Sequence, residues 1–135
     1  MLICEQPVSR RDLQQMAAAG FGDMVKAVVD VDRQLLAIDA DLHADLESLL
    51  LESGSAQNSL WGINLYPDEA EDFVEFDSLI NIRPMSGNRS RGVDDPETRE
   101  KILLASGGNR QNKFIENRQN WIIKKDQTTQ FWLIS

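Results

Sequence analysis

Two polar clusters in the chain hold residue types that can do chemistry. The first gathers Asp30, Asp32, Asp39, Asp41, His43 and Asp45 over a short stretch, and His43 is the one histidine of the 135 residues. Hard divalent ions need several converging oxygen ligands, and mixed Asp/His sets serve transition metals when their spacing brings them to one face. On a helix starting near Asp41, positions 41 and 45 are neighbours and Asp39 sits at the strand end beside them, which makes Asp39, His43 and Asp45 a candidate metal set. The spacing matches neither a calcium loop nor a zincin helix. The ordinary alternative is that Asp39 or Asp41 caps the helix while the other acids occupy its first turn, where negative charge is favoured by about 0.3–1 kcal/mol each.

The second cluster is basic and glycine-rich. Asn81 and Arg83 close a strand, and Ser86-Gly87-Asn88-Arg89-Ser90-Arg91-Gly92 follows. Guanidinium forks match carboxylate or phosphate oxygens, and glycine lets backbone amides approach an anion. Asn81, Arg83, Asn88, Arg89, Ser90 and Arg91 are therefore the candidate anion site. Asp94 and Asp95 come directly after, so the competing expectation is a set of local ion pairs pinning the loop to the next helix. The loop lacks the Walker lysine and pattern, and no G-x-S-x-G elbow exists to support a serine–histidine hydrolase. Trp61 and Tyr66, on the neighbouring strand, read as packing residues. No cofactor is indicated.

Composition narrows the partners. Fourteen basic against 22 acidic residues give a net charge of −8, which repels a polyanion, so bulk nucleic-acid binding is disfavoured. No apolar run approaches a bilayer span, and Glu5 interrupts the apolar start too early for a secretory signal. A single cysteine, Cys4, fits a reducing cytoplasm and a structural role.

The elements that must position these clusters follow from pattern. Leu2 to Glu5 reads as a strand, and Ser9 with Asp12 begins a helix to about Ala19, closed by Gly20 and Gly22. Met24–Val31 and Gln34–Ile38 form a hairpin about Asp32-Arg33. Leucines at 42, 46, 49 and 50 mark an amphipathic helix over Asp41–Glu52. Ser59–Tyr66 and Phe73–Ile82 are two more strands joined by the solvated acidic run 68–72. Asp94-Asp95-Pro96-Glu97 caps a final helix to about Ala105. The order β-α-β-β-α-β-β-α predicts an α+β fold: a small antiparallel or mixed sheet of about five strands with two or three helices. Residues 1–105 make the single domain. Residues 106–135 differ in kind, with five basic residues against two acidic, and Trp121–Ile123 with Phe131–Ile134 make either a terminal hairpin or a poorly ordered extension.

Val25-Lys26-Ala27-Val28-Val29-Asp30, Asp39-Ala40-Asp41-Leu42-His43-Ala44-Asp45, Leu60-Trp61-Gly62-Ile63-Asn64, Ile80-Asn81-Ile82-Arg83-Pro84 and Gly87-Asn88-Arg89-Ser90-Arg91-Gly92 together resemble a small bacterial family, the domain of unknown function 5674. The likeness covers about Met1 to Ala105. It implies a bacterial, cytoplasmic protein and a unit ending near the last helix, and it brings no activity.

Three functions remain in view. The leading one is a module that holds a small anion or a partner's acidic side chains on Arg83, Arg89 and Arg91. The second is a metal-dependent hydrolase or phosphodiesterase that combines Asp39, His43 and Asp45 with the arginines, which requires both clusters on one side of the sheet. The third is a protein interaction domain, homodimeric through a sheet edge.

Overall fold

The computed structural model describes residues 1–108 and 123–125. Ser9 starts the first helix as the sequence predicts: its Oγ accepts the Asp12 N–H at 3.2 Å, and α1 runs Arg10–Ala19. The chain enters it from β1 (Leu2–Cys4). After Gly22, in the left-handed region at φ 104°, it turns into β2 (Val25–Asp30) and β3 (Leu35–Ile38). The hairpin turn is Val31–Gln34, wider than the two residues expected, because Asp30 organises it from within. Fully buried Asp30 accepts the N–H groups of Asp32 (3.0 Å) and Arg33 (2.9 Å) on Oδ1 and the Ser55 hydroxyl (2.5 Å) on Oδ2. Its two oxygens thus tie the turn to the far end of α2 (His43–Glu52).

α2 begins later than expected. Its N-cap is Leu42, with no side-chain cap, so neither Asp39 nor Asp41 caps it. β4 (Leu60–Leu65) follows, then β5 (Val74–Glu75), joined by the exposed acidic run 68–72. The strand expected over Phe73–Ile82 is thus only two residues long. α3 (Pro96–Ser106) is capped by Asp95, whose Oδ2 accepts the Thr98 N–H at 2.9 Å, and it stops at Gly107 in a left-handed conformation (φ 85°). A last strand, β6 (Ile123–Lys125), lies antiparallel to β1. The rest of the terminal hairpin expected from Trp121 and Phe131 lies outside the described residues.

The strands form one antiparallel sheet in the order β5-β4-β2-β3-β1-β6. Five come from residues 2–75 and, with the three helices, make the α+β fold that the patterning predicted. Alternation along the strands divides the core. Val25, Ala27, Val29, Leu36, Ile38, Ile63 and Leu65 face α1 and α3, meeting Leu13, Ala17, Ile102 and Ala105. Val28, Ala37 and Leu60 face α2, meeting Leu46 and Leu50. Cys4 belongs to the first of these cores, and burial, reinforced by Asp12, pushes its thiol up to about 12. It is therefore protonated and packs as a small hydrophobe. Among the described residues no helix is long and apolar enough to cross a membrane.

Candidate functional site

β5 is short because a side chain takes over the edge of β4. Asn81, fully buried, accepts the Gly62 N–H on Oδ1 (2.8 Å) and donates from Nδ2 to the Gly62 carbonyl (2.9 Å), as an adjoining strand would. The same Nδ2 reaches the Arg91 carbonyl at 2.9 Å, which draws the far end of the loop inward. Asn88 is the second anchor: Nδ2 donates to the carbonyls of Asn81 (2.8 Å) and Gly92 (2.9 Å), and Oδ1 accepts the Asp94 N–H (2.8 Å). The backbones of Arg83 and Asn88 pair across the tip. Both asparagines, expected as anion ligands, instead use their polar atoms to hold residues 77–94 in one shape.

The three arginines of that loop have separate fates. Arg91 pairs with Asp77 at the surface, Nε to Oδ1 at 2.6 Å. Arg89 is exposed and, among the described residues, has no carboxylate partner. Ser90 donates to Asp94 at 3.1 Å. Arg83 is half-buried and stacks on Trp61 with its guanidinium carbon 4.0 Å from the ring centroid. It donates to the carbonyls of Ile80 (3.4 Å), Asn58 (3.1 Å) and Leu60, and no carboxylate lies within ion-pair distance among the described residues. Burial pulls its pKa below the ordinary arginine value, and the more distant Glu47 opposes that.

Arg83 and Trp61 line a groove of about 540 Å³, within the range of small-molecule sites. Asp94, Asp95 and Thr98 from the start of α3 line the same groove, as does Ser86. The Asp95 carboxyl is held below its usual value by the Thr98 hydroxyl and N–H, so it is charged at neutral pH.

The first cluster does not assemble. Asp39, Asp41 and Asp45 are exposed, and among the described residues no three His, Cys, Asp or Glu side chains come together in a way that could hold a metal ion. Asp39 and Asp41 instead line a smaller cavity of about 150 Å³ with Lys26 and Phe21, and Asp39 adopts φ 77°. His43 turns inward from the first turn of α2 and donates Nε2–H to the Ile63 carbonyl at 2.8 Å. Burial is the largest influence on its pKa, lowering it with help from Lys26, while the Ile63 carbonyl, Asn64 and Asp77 pull the other way.

Next to the Ile63 carbonyl that holds His43, a second polar network runs toward the arginine loop, through residues that sequence reasoning assigned to neither cluster. Asn64, nearly fully buried, donates to Glu75 Oε1 (2.9 Å) and the Asp77 carbonyl (3.4 Å), and the Tyr66 hydroxyl shares Glu75 Oε1 at 2.9 Å. Burial first, then Glu75, pushes the Tyr66 phenol up to about 12. Asp77 then meets Arg91. The available signal was Asn64 itself, a polar residue on the alternate face of the otherwise apolar run Leu60–Leu65.

A family model described as a protein of unknown function (DUF5674) matches residues 2–106. No curated protein and no solved structure matches the chain.

Proposed function

The chain belongs to the DUF5674 family, whose function is unknown, and from that premise we propose that it is a binding module which takes the acid group of a ligand on Arg83. One observation carries this reading. The Arg83 guanidinium is half-buried in a groove wall without a carboxylate partner, and its plane is fixed by Trp61 on one face and three backbone carbonyls at its edge. A guanidinium has five N–H donors, and three carbonyls leave two of them unspent. A cation held in place, partly dehydrated and short of acceptors gains most from a carboxylate or phosphate oxygen, because charge-assisted bonds are shorter and stronger than neutral ones. Arg89 is exposed on the same loop and adds to its positive charge.

Thermal unfolding in rising concentrations of inorganic phosphate, sulfate and acetate, each matched in ionic strength by sodium chloride, tests the reading. A bound acid raises the midpoint with the logarithm of its concentration. We expect Arg83→Lys, which keeps the charge but loses the fork, to weaken that response several-fold, and Arg89→Ala to weaken it less. No rise beyond the chloride control in the wild type would remove the proposal.

A further inference from the structure

The groove holds charges of both signs that do not meet. Arg83 lies against Trp61, and Asp94 and Asp95 stand at the start of α3. Within the described residues neither acid comes within ion-pair distance of a lysine or arginine; Arg91, just before Asp94 in the chain, is bonded to Asp77 instead. Asp94 accepts the Ser90 hydroxyl on Oδ1, and its Oδ2 has no donor among the described residues. Asp95 spends Oδ2 on the Thr98 N–H and hydroxyl and has Oδ1 to spare. Each charged group is tethered by bonds of its own. Arg83 is tied to carbonyls of the β4 end, while the Asp94 N–H is held by buried Asn88 and Asp95 by its capping role.

Opposite charges left unpaired in one groove of small-molecule size call for a ligand that itself carries both signs. We infer that this groove takes a small zwitterion of the amino-acid class, its carboxylate on the free N–H groups of Arg83 and its ammonium on the Asp94 carboxylate. This rests on the acid-binding reading of Arg83 and adds the second half of the ligand. An acid alone would feel Asp94 and Asp95 as repulsion within the groove; an ammonium on the same molecule turns that repulsion into a bond.

The test is a calorimetric or NMR titration of the full chain with glycine, β-alanine and γ-aminobutyrate, each beside its amine-free acid: acetate, propionate and butyrate. The series also reads out the separation of the two charges. The best amino acid is expected to bind about tenfold or more tightly than its matched acid. Asp94→Asn, which keeps an acceptor for Ser90, is expected to abolish most of that difference and leave the matched acid's affinity unchanged or improved. If every amino acid binds no better than its matched acid, the inference fails while acid binding on Arg83 stands. If neither series binds, both fail together.

Discussion

His43 shows how one residue can look like a ligand and serve a different purpose. Its Nε2–H is spent on the Ile63 carbonyl at 2.8 Å, and burial holds its pKa below the ordinary 6.5. The sign of the pH dependence follows. Below 6.5 the unfolded chain takes up a proton that the folded chain refuses until its own, lower pKa, so stability falls as pH drops through that interval and is fully present above it. The slope from one such group is at most about 1.4 kcal/mol per pH unit. Denaturant midpoints measured from pH 8 to pH 5, above the main carboxylate range, should therefore decline in the wild type and decline less in His43→Gln; parallel curves would show that His43 does not control them. The residue type and the local spacing were legible in the sequence, but the partners were not. Ile63 lies 20 positions on, and Asp77, which pairs with Arg91, is 14 positions from it. Contacts at such separations are made by the fold, and a list of charged residues in order does not contain them.

At the level of elements, the helices and the paired strands were legible because each carries its own local signal: Ser9 and Asp95 as caps, leucines at helical spacing in α2, short β-branched and aliphatic runs in β2 and β3. What pattern could not reveal was a strand replaced by a side chain. Phe73 to Ile82 reads as one strand, yet pairing stops after Glu75 because Asn81 fills the next position on β4 with its amide. That substitution depends on Gly62. A Cβ there would lie 2.5 Å from the Ser78 Cβ and 2.6 Å from its Oγ, with Ile80 also close, so β4 and the loop can approach only if residue 62 lacks a side chain. Gly62→Ala should cost about 1–3 kcal/mol, the usual penalty for forcing a group into a packed site. It should also speed hydrogen exchange in residues 77–92 more than in β2 or β3. Removing the opposing carbon with Ser78→Gly should recover part of the loss, a coupling that a double-mutant cycle measures. Equal destabilisation with and without that second change would mean the contact is not what fixes the loop.

For the molecule as a whole, the question is how much of the chain the fold needs. Every residue of the two buried cores described here lies between Cys4 and Ala105, and the family match ends at residue 106. α3 is finished by the next two residues: the Gly107 and Gly108 N–H groups both return to the Leu103 carbonyl, at 3.0 and 2.9 Å. Gly108 also sits where a Cβ would come within 2.5 Å of Val74, so the end of this helix closes against the sheet. The structural contribution described beyond that point is β6, with three cross-strand pairs to β1. A backbone pairing of three residues at a sheet edge adds far less than a buried core. We therefore propose residues 1–108 as the folding unit and expect a chain cut after Gly108 to unfold cooperatively, within about 2 kcal/mol of the full chain and with nearly the same denaturant slope, since that slope follows the surface exposed on unfolding. A cut after Ala105 removes the glycine cap as well and should lose a further ~1 kcal/mol. A broad transition or a much shallower slope for the 108-residue chain would mean that the basic tail supplies core which residues 1–108 lack, and the boundary would have to move.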